Sequence, residues 1–184
     1  MVETSAVFFS YNISVISMYS RFMSLSKVLS NSPDAIAIIK GSKEYKTIIG
    51  TVYLYDTDMG VIVVTEVSGL STSNEKCSDK FFAFHIHGGE DCSGTMEDPL
   101  SNAMSHYDPY NCPHPHHAGD LPPLLSCNGK SLSVFLTDRF TVDEVIGRTI
   151  VIHSNPDDFT TQPSGNSGEK IACGIIRKNS DISR

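Results

Sequence analysis

The sequence predicts an all-β fold: an antiparallel sandwich or closed barrel of eight strands, interrupted by two long functional loops. Three features carry that expectation. Short apolar runs recur between turn residues, helical periodicity is nearly absent, and an Asn-Gly pair joins two of the runs through a two-residue turn. In chain order the runs are Ala35–Lys40, Lys46–Asp56, Gly60–Gly69, Lys80–Gly88, Leu121–Cys127, Gly129–Asp138, Arg148–His153 and Lys170–Ile176. Asn128-Gly129 separates Leu124-Leu125 from Leu132, Val134 and Leu136, and both turn positions call for positive φ. The single helical candidate is Thr141–Ile146, stopped by Gly147. Residues 88 to about 120 and 154 to 169 are rich in Gly, Pro, Asp, Asn and Ser. Loops of that length inside a compact domain are usually functional or unstructured, and the first holds most of the histidines, which favours function.

At 184 residues the chain is about one domain long and able to bury a real core. Hydrophobic residues make up 40% and charged residues 19%, an ordinary globular balance. Uninterrupted apolar runs such as Ala35–Ile39 and Val61–Val64 are far too short to span a bilayer, so no membrane partner is expected. A net charge of −7 without a basic stripe argues against nucleic acid as a partner. Five cysteines permit at most two disulfides and leave at least one free thiol. Residues 1–33 read as a poorly ordered extension with internal start sites at Met18 and Met23, lacking the basic start and cleavage site of a secretory signal. The folded domain is expected over 34–178, with a tail at 179–184.

All seven histidines lie between positions 85 and 153. Side chains alternate along a strand, so His85 and His87 share a face with Phe81 and Ala83, while Phe82, Phe84 and Ile86 take the other. One face can anchor in a core while the other presents two imidazoles. A lone strand histidine is more often structural, but a pair at i and i+2 with more histidines in the next loop favours metal binding. His153 closes a further strand after Ile150-Val151-Ile152. His106 lies in Ser105-His106-Tyr107-Asp108-Pro109, and His114, His116 and His117 lie between Cys112 and Asp120. The bland reading of that second run is a solvated loop; its prolines and Asp120 favour a fixed geometry. Three histidines and an aspartate suit a closed tetrahedral zinc site, and four imidazoles without thiolate suit Cu(II). Other metallo-sites fit less well. A metallo-β-lactamase pattern needs a histidine soon after the pair, which Gly88–Cys92 does not offer. A cupin pattern could use Glu90 but finds no second motif around His153.

Five segments in order resemble the copper-zinc superoxide dismutases: Phe84-His85-Ile86-His87, His106-Tyr107-Asp108-Pro109, His117-Ala118-Gly119-Asp120-Leu121, Gly147–His153, and Gly165-Asn166-Ser167-Gly168 leading to Ala172-Cys173-Gly174. The resemblance covers about residues 34 to 176. It implies an eight-stranded Greek-key sandwich or flattened barrel of the immunoglobulin-like type. It implies dismutation of superoxide, with copper held by His85, His87, His106 and His153. Zinc would be held by His106, His114, His117 and Asp120, with His106 as the bridge. Asp157 matches a carboxylate that hydrogen-bonds one copper and one zinc histidine, and Cys92 and Cys173 match the family's disulfide. Cys77, Cys112 and Cys127 are then left over, with Cys112 beside His114 as a rival zinc ligand. Three departures stand out. Lys170 occupies the position where the family uses an arginine to dock superoxide, only two residues separate His114 from His117, and the loop after His153 is short. They leave a non-catalytic metal-binding member of the fold as the alternative. Homodimers are common in the family, and its cytosolic members keep the disulfide, so a cytoplasmic location is the expectation.

Overall fold

A computed structural model describes residues 24–72 and 81–182. Met18, Met23, Cys77, Lys80 and the greater part of the N-terminal extension lie outside the described residues. The chain divides into two units at Ser32/Pro33. In the first, the described element is a short helix, α1 (Leu25–Leu29). The second carries nine strands among the described residues: β1 (Ala35–Gly41), β2 (Ile49–Thr57), β3 (Gly60–Ser68), β4 (Phe81–Phe82), β5 (Phe84–His87), β6 (Leu124–Leu125), β7 (Lys130–Thr137), β8 (Thr149–His153) and β9 (Lys170–Lys178). Two further short helices are α2 (Val142–Val145) and α3 (Asn179–Ile182).

All eight expected runs contain strand, but two are reshaped. The run at 80–88 is broken at Ala83. Its N–H donates to the Asn155 carbonyl, and its carbonyl accepts from the His153 N–H, so the backbone leaves one partner for another between β4 and β5. The run at 121–127 shrinks to two residues, because Pro122 and Pro123 have no N–H to give a ladder. The turn at Asn128-Gly129 forms as expected, with φ of 52° and 76°. Cys127 and Lys130 exchange both backbone hydrogen bonds across it, at 2.7 and 3.0 Å. The helical candidate also forms: Thr141 and Glu144 cap each other's backbone N–H groups at the start of α2, and Gly147 follows its end at φ 84°.

The strands build one antiparallel sheet in the order β5-β8-β9-β1-β2-β3-β7, with β4 and β6 paired separately. From β3 the chain crosses to the far edge at β5, returns to lie beside β3 as β7, and crosses again to β8. These are Greek-key crossings. Since β4 runs on into β5 and β6 into β7, the β4–β6 pair draws the two edges of the sheet towards each other and curls it. The concave face is the core: Ala37 and Ile39, Val52 and Leu54, Val61 and Val63, Phe84 and Ile86, Ile150 and Ile152.

The other face of β5 and β8 is buried too, and this is what makes the site. Loop 88–123 folds back over it, setting Leu100 and Ala103 against Val151 and Cys173. Cys92 joins Cys173 of β9 in a disulfide that closes a separation of 81 residues. Backbone bonds then stitch the loop along β5. Ile86 donates to Gly119 O at 2.9 Å, Tyr107 to Ile86 O at 2.8 Å, and Gly88 to Ser105 O at 2.8 Å.

Candidate metal centre

Seven side chains meet between this loop and the strands, and all seven are buried. They form two groups whose nitrogen and oxygen atoms lie within 4.8 Å of one another: His85, His87, His106 and His153, and His106, His114, His117 and Asp120. Strand pairing sets most of the first group. His85 and His87 project from the outer face of β5, and His153 ends β8, where the ladder to β9 slips by one residue. Across β5, isolated bridges pair His87 with His106 and His85 with Asp120, so both ends of the loop are placed by the strand.

The hydrogen bonds fix which ring nitrogen each group receives. A carboxylate or carbonyl oxygen only accepts, so the nitrogen facing it carries the proton. His85 donates from Nε2 to Asp157 Oδ2 at 2.8 Å, and His114 donates from Nε2 to Asp157 Oδ1 at 2.9 Å. His87 donates from Nδ1 to Met104 O at 2.8 Å, and His153 from Nδ1 to Gly168 O at 3.4 Å. That leaves lone pairs on His85 Nδ1, His87 Nε2 and His153 Nε2, aimed at one another. His87 Nε2 and His153 Nε2 stand 3.1 Å apart, and His85 Nδ1 and His106 Nε2 are buried without any hydrogen-bond partner.

In the second group His106 Nδ1 lies 2.7 Å from Asp120 Oδ1 and 3.4 Å from His117 Nδ1. His114 Nδ1 is 3.1 Å from Asp120 Oδ2 yet makes no hydrogen bond. His106 therefore turns one nitrogen to each group. Buried lone pairs facing each other are costly unless a cation lies between them, so the donor set fits a metal ion in each group.

Electrostatics prepares the ligands. Burial lowers the proton affinity of His85, and of His87 well below the ordinary imidazole range, with His153 and His106 adding to the effect at His87. Burial first, and then His85, bring His153 down to about 3. These imidazoles are neutral at neutral pH, the form that binds metal. Burial opposes ionisation of Asp157, but hydrogen bonds from His85, the Phe159 N–H and His114 outweigh it and hold the carboxylate at about 2. Gly165 permits this arrangement. At φ 68° it passes so close that a Cβ would stand 1.9 Å from Asp157 Oδ1 and 2.7 Å from His114 Nε2.

Every residue assigned to metal or to Asp157's role is thus brought to one place, and Cys92 pairs with Cys173. Cys112, a half-buried free thiol, and the exposed His116 belong to neither group. Glu90 is 76% exposed and lies 3.6 Å from Arg148, away from the histidines, which removes the cupin alternative. Lys170 lines a cavity of about 730 Å³ that opens onto His87, His106 and His153. Its ammonium is not unpaired, as it lies 3.1 Å from Asp98 Oδ2. Two residues that sequence reasoning passed over hold the second group's loop. Gln162 clamps the His114 backbone, accepting from its N–H at 3.0 Å and donating to its carbonyl at 2.6 Å. Arg139 Nη1 reaches the carbonyls of Pro115, His117 and Asp120 at 3.1, 3.4 and 3.2 Å. Neither has a local motif; the residues they hold are 19 to 48 positions away in the chain.

Comparison with known proteins agrees with this geometry. The family model for copper/zinc superoxide dismutase matches residues 48–176. A protein named Superoxide dismutase [Cu-Zn] 2 from Aquifex aeolicus is 32% identical over 145 residues, covering 71% of this chain and 80% of that protein. Superoxide dismutase [Cu-Zn] from Deinococcus radiodurans is 32% identical over 148 residues, 71% of this chain and 78% of its own. Superoxide dismutase [Cu-Zn] 4 from Dictyostelium discoideum is 31% identical over 163 residues and is covered over 97% of its length. With the matched segment taking in both histidine groups and most of the curled Greek-key sheet around them, the chain belongs to the copper/zinc superoxide dismutase family.

Proposed function

We propose that this protein converts two superoxide anions and two protons into dioxygen and hydrogen peroxide, with copper at His85, His87, His106 and His153. Zinc would be held by His106, His114, His117 and Asp120. The observation that carries the reading is His106, whose two ring nitrogens face different groups, Nδ1 towards Asp120 and Nε2 towards the strand histidines. Copper would supply the one-electron exchange with superoxide, and zinc a second cation that favours loss of both imidazole protons from His106.

The chain's own residues do the rest. His85, His87 and His153 are fixed by strand backbone and by Asp157, Met104 O and Gly168 O, so the first group keeps its geometry while charge changes within it. His106 Nε2, buried without a hydrogen-bond partner and facing the cavity, is the atom at which a proton would be held for delivery to the reacting anion. Asp157 couples His85 to His114 through one carboxylate and keeps both rings in the same tautomer. The cavity over His87, His106 and His153 gives a small anion its approach, with Lys170 at its side.

Stopped-flow decay of superoxide, with one copper and one zinc per chain, tests this. Copper-dependent decay far faster than that given by the same copper on a histidine-rich peptide supports the dismutase. Decay no faster than that given by the same copper on a histidine-rich peptide would leave a metal-binding member of the family without the activity.

A further inference from the structure

The cavity that leads to the first histidine group has an unusual charge for the approach of an anion. Among the described residues lining it, Lys170 is the only lysine or arginine, whereas Glu44, Glu97, Asp98, Asp108 and Glu169 supply five carboxylates. Glu44, Glu97 and Glu169 are exposed at its rim. Tyr45 donates a long hydrogen bond, 3.4 Å, to Glu169. Lys170 is the more buried partner of its pair, 18% exposed against 49% for Asp98. Its ammonium donates to Asp98 Oδ2 at 3.1 Å. Asp98 is in turn held by its loop, its Oδ1 accepting from the Leu100 N–H at 3.2 Å and its own N–H donating to Thr95 Oγ1 at 3.0 Å. The disulfide between Cys92 and Cys173 brackets this contact, six residues before Asp98 and three after Lys170, so loop and strand are fastened on both sides of it.

We propose that Asp98 is a rate-determining positioning residue for anion entry. By pairing with Lys170 it fixes the ammonium at the cavity wall and cancels the one full positive charge that the lining lysine and arginine side chains offer an incoming anion before it reaches the metal centre. The inference rests on the dismutase reading of the site. A paired ammonium contributes a dipole rather than a charge at the distances where steering acts, and the uncompensated rim carboxylates then dominate the approach. Lysine makes this possible in a way arginine would not. Its charge is concentrated on one nitrogen that Asp98 faces directly, whereas a guanidinium spreads its charge over a planar fork that can present a second edge to another anion.

Asp98→Asn tests the inference with little disturbance, because the amide keeps the oxygen that accepts from Leu100. In the copper- and zinc-loaded protein, kcat/KM for superoxide at low ionic strength should rise by about three- to ten-fold. Its dependence on salt should also change sign, from flat or rising in the parent to falling in the variant, as expected once attraction replaces repulsion. Azide, an anion that binds Cu(II) with its own absorption band, gives a readout independent of turnover, and its affinity should increase by a similar factor. In a Lys170→Gln background the same Asp98→Asn change should give a clearly smaller gain in both readouts, since the lysine it would release is missing. An unchanged or lower azide affinity in Asp98→Asn, or an equal gain without Lys170, overturns the proposal. If the parent fails to dismutate superoxide, the dismutase reading falls, and the azide titration still decides the role of Asp98.

Discussion

The two histidine groups share His106, yet one is built on strands and the other on loop. His85, His87 and His153 are seated by β5 and β8, whose opposite faces are the hydrophobic core. Their placement follows from core packing and ladder register, and a metal finds it ready. His114, His117 and Asp120 belong to a segment with no regular structure around them. Its shape depends on side chains reaching in from elsewhere: Asp157 and Gln162 from the loop before β9, and Arg139 from the end of β7. The lesson is that the strand group should tolerate loss of a supporting contact, and the loop group should not.

His106→Ala is the most severe way to break the comparison, since it removes the member common to both. Superoxide dismutation should fall by about a hundred-fold or more, the contribution expected of a positioned proton donor. The binding of zinc should also cease to alter the copper spectrum. A variant as fast as the parent would mean that the two groups work independently and that the bridge is not used.

Asp157→Ala sharpens the contrast directly, because one carboxylate supports a histidine of each group. Zinc affinity should fall by about ten- to a hundred-fold, the usual consequence of losing an orienting partner of a ligand. Copper affinity should fall much less, since the backbone of β5 still directs His85. Competition with a chelator of known affinity measures both. Equal losses would show that strand support does not protect its ligand.

The metal-free protein offers a third test through pH. An unfolded imidazole takes up a proton below about 6.5, whereas folded His85 and His87 resist protonation and His153 stays neutral to about 3. Between those limits the unfolded chain binds more protons, so stability is present above about 6.5 and is lost on acidification. The slope is about 1.4 kcal/mol per pH unit for each histidine that remains neutral. Urea unfolding of metal-free protein between pH 7 and pH 4 should show it, and a flat profile would mean that the strand histidines are not held neutral by burial.

The same division explains what the sequence could reveal. His85 and His87 were legible because strand alternation sorts them from Phe84 and Ile86, and the Asn128-Gly129 turn and the Thr141–Glu144 cap were legible because their chemistry is local. The break at Ala83 was not, because its cause is the distant backbone of His153 and Asn155. Asp157 and the disulfide came from resemblance, and no local pattern marks either. Nothing near Asp98 in the chain announces Lys170, which lies 72 residues away.

Arg139 is the least visible of these long-range supports and gives the smallest effect. It is exposed, and one guanidinium nitrogen serves three carbonyls of the loop that carries His117 and Asp120, so each bond is shared and partly hydrated. Losing it should cost the loop about 0.5 to 1.5 kcal/mol, the net worth of an ordinary hydrogen bond, which is roughly a two- to twelve-fold loss of zinc affinity. Arg139→Gln should therefore weaken zinc measurably and leave the copper affinity of the strand group unchanged. A merely structural role at the end of β7 would lower thermal stability without separating the two metals. Parallel losses of zinc and copper would mean that the loop and the strands form one unit rather than a rigid frame with a supported arm.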